Sequence, residues 1–224
     1  HPRYMDVGWL ASDKSVKVPG KNTLWQLASE DAAGNLSSEN DIVLTWDNGQ
    51  GLLFERVISL DDNFMFRVTQ RVTNNGDQAV DLFPFSALSQ RGLPRDLSKQ
   101  GVVHEGLIGY VGDDLHEFRY NKIAKKPLHS FNANHGWIGI TERYWFSGII
   151  PDQEKETHFR FLAKENAAME GPRRYLYQVD TRGSGVTLAP GATTENITRL
   201  YSGIKQVELL ADYEKKEDIK HFDL

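Results

Sequence analysis

Two His-Glu pairs, His104-Glu105 and His116-Glu117, are the first places where this sequence could do chemistry. A zinc-hydrolase helix needs two histidines four positions apart with a glutamate between them. Neither pair has a second histidine at that spacing, and both sit in strand-like segments. Adjacent side chains of a strand leave on opposite faces, so each His and its Glu cannot converge on one ion. Turn or surface roles fit them better, and no metal or cofactor is implied. A glycosidase would need two carboxylates about 5–10 Å apart across a cleft. Asp47, Asp61, Asp62 and Glu55 are the candidates. The three aspartates occupy turn positions, where Asp is favoured because its side chain bonds the local backbone. Glu55 and Arg56 fall mid-strand, and Arg56 breaks an apolar face, which suggests a carboxylate partner nearby. No GxSxG elbow, P-loop or GxGxxG fingerprint is present.

Composition narrows the classes further. The 224 residues include five Trp, eight Tyr and eleven Phe, enough for a sizeable aromatic core. The net charge of −5 argues against a nucleic-acid surface, which needs clustered Lys and Arg. With no cysteine there is no disulfide framework, thiol catalysis or Cys-ligated zinc. No stretch approaches the roughly 20 apolar residues that span a bilayer. The chain starts at His1 without an initiator Met and reads as a piece of something longer.

The elements that would position these residues are mostly strands. "RYMDVGWL" and "TLWQLAS" are short aromatic runs separated by Pro19-Gly20. "IVLTW" runs into Asp47-Asn48-Gly49, a hairpin signal because Asn-Gly supplies positive φ angles. Leu52, Phe54, Ile58 and Leu60 recur with period two, as do Phe64, Phe66, Val68 and Val72 beyond Asp61-Asp62-Asn63. Pro84 in "AVDLFPF" predicts an edge strand or a bulge. Residues 89–131 read as elaborated connection, with two short strands around Gly112-Asp113-Asp114 and a basic loop "NKIAKKPLHS". "GWIGITERYWFSGIIPD" reads as a hairpin, "THFRFLAK" and "RRYLYQVDT" as strands, and "GVTLAPGATTENITRLYSG" as a hairpin turning at Pro190-Gly191. About fourteen strands result. Most of the five Trp belong to the core of such a domain. The exception is "ERYWF", where Glu142 and Arg143 adjoin three aromatics at a hairpin bend.

The C-terminal stretch changes period. Val207, Leu210 and Ala211 fall at i, i+3, i+4, with Leu209 and Tyr213 at i, i+4, giving a short amphipathic helix that docks through those five residues. Lys215 and Lys216 suit its negative C-terminal end. No repeat or linker splits the chain, so residues 1–224 are expected to form a single domain: strands over 1–203, the helix over 204–217, and a tail over 218–224. The predicted fold is all-β, a large antiparallel β-sandwich closed by one helix.

In order along the chain, "LTWDNGQGLLFERVISLDDNFMFRVTQRVTNNG", "HEGLIGY", "GWIGITERYWFSGIIPD" and "LYSGIKQVELLADYE…HFDL" resemble the periplasmic domain of YidC-type membrane insertases. The resemblance covers nearly the whole chain and implies a galactose mutarotase-like β-supersandwich with no enzymatic chemistry. It implies a periplasmic location as part of an inner-membrane protein, with residues 218–224 leading toward a transmembrane segment. Its implied partners are the Sec translocon, SecDF components and nascent membrane proteins. Loop cations at Arg91, Arg95, Lys99, Lys122, Lys125 and Lys126 are the candidates for partner contact. The alternative is a carbohydrate-binding or aldose-epimerase-like protein, which needs a His acid facing a carboxylate base. His104, His135 and His158 are the strand-associated histidines that alternative would draw on.

Overall fold

The computed structural model describes residues 2–28, 35–94, 97 and 103–223. Along the chain run β1 (Arg3–Ala11), β2 (Gln26–Leu27), β3 (Ile42–Asp47), β4 (Leu52–Leu60), β5 (Met65–Asn74) and β6 (Val80–Arg91). Then come β7 (Gly106–Val111), β8 (Asp114–Arg119), α1 (Tyr120–Ile123), β9 (Leu128–Ala133), β10 (Gly136–Thr141) and β11 (Trp145–Ile150). The chain continues with β12 (Thr157–Glu165), β13 (Tyr175–Gly183), β14 (Val186–Leu188), β15 (Thr193–Ile204) and α2 (Val207–Glu217). One sheet has the order β1-β6-β13-β12-β9, with β14 also on β6; the other runs β2-β3-β4-β5-β15-β11-β10-β7-β8. By compactness the chain divides into unit one (residues 1–6, 86–182, 201–224) and unit two (7–85, 183–200).

In unit two the period-two pattern sets the register. Trp46 lies opposite Phe54 and Phe54 opposite Val72, so β3, β4 and β5 pool their apolar face. Trp9, Leu52, Phe54, Val72, Leu82 and Leu188 form the core there. Pro84 was expected at an edge or bulge, yet β6 has neighbours on both sides. Continuing the Val186–Leu82 register by two puts Pro84 opposite Ser184, in the gap between β13 and β14. A missing N–H is tolerated where the partner strand itself breaks.

Unit one holds the strands with unbroken apolar runs. Every residue of β10 and all but the first of β11 are buried, as expected when a strand is covered on both faces. Gly139 of β10 sits beside Gly148 of β11, and a Cβ at Gly139 would lie 2.5 Å from the Phe146 ring. The glycines make room for that ring to lie flat on the sheet.

Three local readings are corrected. Pro190-Gly191 does not close a hairpin: β14 pairs with β6, while β15 stands between β5 and β11 in the other sheet. The "NKIAKKPLHS" loop contains all of α1 after Tyr120 and the start of β9. "TLWQLAS" supplies only the two-residue β2 among the described residues.

Candidate functional site

Asp47, Asn48, Gln50 and Asp61 of the two prominent turns are committed to backbone groups of their own turns or of residues 15–17. In the first, Asp47 Oδ1 accepts from the Gly49 N–H at 2.8 Å. Buried Asn48 accepts through Oδ1 from the N–H groups of Gln50 (2.8 Å) and Leu52 (3.0 Å), and donates through Nδ2 to the Lys17 carbonyl at 2.9 Å. Gln50 donates to the Ser15 carbonyl and accepts from the Lys17 N–H, so the turn is stapled to residues 15–17. In the second, Asp61 Oδ1 accepts from Asn63 and Met65, both at 2.9 Å. Glu55 pairs with Arg71, whose other nitrogen reaches Glu195 at 2.8 Å, a half-exposed ladder across β4, β5 and β15. Arg56 donates to the Val7 carbonyl at 2.8 Å and lies 4.7 Å over the Trp25 ring.

The histidines are dispersed. His104 and His135 lie in the connections before β7 and β10, which open at Gly106 and Gly136, each with positive φ. Only His158 of the three expected on strands is on one, half-buried and 2.6 Å from Asn132 Oδ1. His116 is on β8, as its strand-like segment led one to expect, and His129 of β9 is a strand residue that sequence reasoning did not single out. His116 of β8 stacks on Phe131 of β9 at 3.8 Å, and Phe118 meets His129 at 4.2 Å. Burial pulls the pKa values of His104 and His116 below the usual histidine range. Among the described residues, no three His, Asp or Glu side chains gather as a metal site.

The most elaborate polar cluster, within unit one, has no local sequence signature. Arg3 of β1 donates to Gln90 Oε1 (2.9 Å), Ser147 Oγ (3.0 Å) and Glu142 Oε1 (2.6 Å). Gln90 is fully buried and donates to the Tyr120 hydroxyl at 3.0 Å and the Gly92 carbonyl at 3.1 Å. Ser147 in turn meets Ser202 at 2.9 Å. Burial pushes the Tyr120 hydroxyl well above the usual tyrosine range. The guanidinium is neutralised by one carboxylate and bonded on all three nitrogens. Such a closed network ties the sheets together rather than presenting a reactive group.

The C-terminal elements form a second cluster. Leu210 and Tyr213 of α2 are buried, Leu209 and Ala211 half-buried. Val207, expected on the docking face, is 66% exposed at the first position of the helix, just after the chain leaves β15. The deepest residues lie beyond the helix: Ile219 and Phe222 are fully buried. Asp218 adopts the left-handed conformation that ends α2, turning residues 219–222 back onto the sheet. Phe222 packs edge-on against Trp137 (5.5 Å) and touches Phe146 and Tyr201. Trp137 Nε1 donates to the Lys220 carbonyl at 3.0 Å. Residues 218–223 are thus docked rather than simply leading away.

Of the loop cations, Lys122, Lys125 and Lys126 are exposed on α1 and the turn after it. Arg91 closes β6, with its side chain 3.7 Å from the Met169 sulfur. Arg95 and Lys99 lie outside the described residues. Among the tryptophans, Trp9 and Trp137 are buried, Trp25 and Trp46 half-buried, and Trp145 exposed.

This architecture is all-β, a galactose mutarotase-like supersandwich with a short C-terminal helix. A galactose mutarotase related enzyme from Lactobacillus acidophilus superposes with a TM-score of 0.56 at 10% identity, over 81% of this chain and 72% of that one. A putative aldose 1-epimerase from Escherichia coli K12 gives 0.53 at 12% identity, over 80% and 68%. At such identity the likeness concerns the fold alone. Residues 1–224 match the YidC periplasmic domain family, and the chain belongs to that family. It is 40% identical to the membrane protein insertase YidC of Beijerinckia indica and 38% identical to that of Methylorubrum extorquens. Both alignments cover the whole chain and 36% of the relative.

Proposed function

We propose that this chain is the non-catalytic periplasmic domain of a YidC-type insertase in the inner membrane. The full-length protein would help hydrophobic segments enter and fold in the bilayer, alone or with the Sec translocon and SecDF partners. The observation that carries the reading is the family match along all of residues 1–224. Among the described residues no helix is long and apolar enough to cross a membrane, and the reading assigns insertion to the rest of the protein. This domain would supply partner contacts, with Lys122, Lys125 and Lys126 as candidates, and a docked C-terminal tail toward the membrane part.

The absence of catalysis is supported by how the available groups are used. Asp47, Asp61 and Asn48 hold turns, Glu142 is held by Arg3, and Glu55 by Arg71. The test has two arms. Cells depleted of their own insertase are complemented with the full-length protein carrying or lacking residues 1–224, and insertion of membrane substrates is followed. Equal insertion by both forms would remove the assigned role. In parallel, the 224-residue chain is tested for anomerisation of common aldoses; the rate stays at background, and an enhancement lost on substituting His104, His135 or His158 would favour the epimerase-like alternative.

A further inference from the structure

The segment "ERYWF" forms one end of unit one together with two other pieces of chain. The turn between β10 and β11 is closed by the Glu142 N–H donating to the Trp145 carbonyl at 2.8 Å. Lys205 N–H donates to the Tyr144 carbonyl at 2.9 Å, and Ser147 Oγ lies 2.9 Å from Ser202 Oγ. Both pairs belong to one antiparallel register, which sets Trp145 directly opposite Ile204. Val207 follows three residues later at the start of α2. Tyr144, Trp145, Ile204 and Val207 are 62%, 49%, 51% and 66% exposed. Exposed apolar side chains are ordinary when scattered; here the register sets three side by side, with Val207 only three residues along the chain from Ile204.

The chemistry of the patch selects its occupant. Side chains this exposed make a projecting tip, whereas small ligands are held in concave clefts. Trp and Tyr beside branched aliphatics, with cations at the margin, is the composition of a membrane–water interface. Arg143 supplies a cation, 5.1 Å over the Tyr144 ring. Lys205 sits just behind, its ammonium 3.2 Å from Thr141 Oγ1. The neighbouring carboxylate of Glu142 is neutralised by Arg3, buried Glu105 attracts the Lys205 ammonium from behind, and Glu208, on the first turn of α2, is an exposed acid at the margin. We propose that the tip formed by Arg143, Tyr144, Trp145, Ile204 and Val207 lies in the headgroup region of a lipid bilayer, with the two aromatic rings at the acyl boundary. The occupant rests on the membrane setting proposed above, while the assay reads this chain alone. A negative result therefore leaves the insertase reading, tested by complementation, intact.

The 224-residue chain is floated with vesicles of phosphatidylethanolamine and phosphatidylglycerol, and with phosphatidylcholine vesicles to separate apolar from anionic attraction. The wild type floats with the first and, more weakly, with the second. Tyr144→Ser with Trp145→Ser lowers the vesicle-bound fraction about tenfold, the consequence of removing one to two buried aromatic contacts. Val207→Ser gives a smaller loss, and Leu24→Ser, at a residue 88% exposed on unit two, changes it less than about twofold. Brominated acyl chains quench a component of the Trp emission that Trp145→Phe removes. Circular dichroism confirms that the variants are folded. Flotation unaffected by the double substitution, or no flotation of the wild type, would overturn the proposal. Binding to a detergent-solubilised membrane protein without affinity for protein-free vesicles would overturn it in favour of a protein partner.

Discussion

Arg3 and Glu142 are 139 residues apart in the chain and 2.6 Å apart in the fold, both more than four-fifths buried. Removing one partner leaves a largely buried charge unpaired, which costs about 3 kcal/mol, toward the low end because some solvent reaches the pair. Glu142→Gln and Arg3→Met are each expected to show that loss in urea denaturation. The double change Arg3→Met with Glu142→Leu recovers only part of it: no charge is left uncompensated, but buried Gln90 Oε1 loses its Arg3 donor. The histidines give a pH dependence. Burial is the largest cause lowering His104 and His116, outweighing the Leu107 carbonyl and Glu117 on the first and Asp114 on the second. The unfolded chain then takes up protons more readily than the folded one. Stability is full above pH 6.5, the ordinary histidine value, and falls as pH drops below it toward the depressed folded-state values. A denaturation series from pH 7.5 to 5 is expected to show the decline, with a shallower slope for His116→Phe; an unchanged slope would mean that His116 does not contribute. The turn roles of Asp47 and Asp61 could be read in the sequence because an Asx side chain bonds the backbone two residues on. The Arg3 network could not, because nothing local marks a partner 139 residues away.

At the scale of elements, the C-terminal tail separates what periodicity reveals from what it hides. The 3.6-residue period placed α2 correctly and pointed to Leu210 and Tyr213, both buried. It said nothing of Ile219 and Phe222, because the helical repeat ends at Glu217 and the next four residues follow a turn. Phe222 nonetheless occupies the centre of the Trp137–Phe146–Tyr201 cluster, and Ile219 is fully buried beside the end of α2. An 11-residue helix is marginal alone in water, so this packing must hold it. Phe222→Ala is expected to cost about 3–5 kcal/mol and Leu210→Ala about 2–5, with loss of helical signal before the strands melt. Val207→Ala should stay within about 0.5 kcal/mol, as at other exposed positions. Circular dichroism with denaturant checks the order; Val207→Ala costing as much as Leu210→Ala would mean that the helix docks on another face. Hairpins with Asn-Gly or Asp-Asp-Asn turns were legible for the same local reason as the helix. The Pro190-Gly191 turn misled, because a turn signal marks a reversal without saying whether the next strand joins the same sheet.

For the molecule as a whole, a mutarotase-like framework carries a family whose relatives are insertases, so the fold says little about function and the surface must say more. The candidate surfaces differ in chemistry. The tip at Tyr144 and Trp145 is aromatic and apolar, whereas Lys122, Lys125 and Lys126 form a basic group on α1 and the turn after it. Three cations within five residues stand out on a chain of net charge −5. Exposed charges of this kind affect fold stability little, typically by less than about 1 kcal/mol even when paired. They can steer association with an acidic partner, an effect that weakens as salt rises. Replacing all three lysines with Glu should therefore leave the denaturation midpoint of the isolated chain nearly unchanged. In the full-length protein, the same change should lower crosslinking to Sec components at low salt, with a smaller difference at high salt. Phe222→Ala should behave in the opposite way, lowering the midpoint and impairing insertion through loss of the docked tail. Lysine reversal that leaves crosslinking intact at every salt concentration would show that these charges are only solvated and would remove them as candidates for the proposed partner contact.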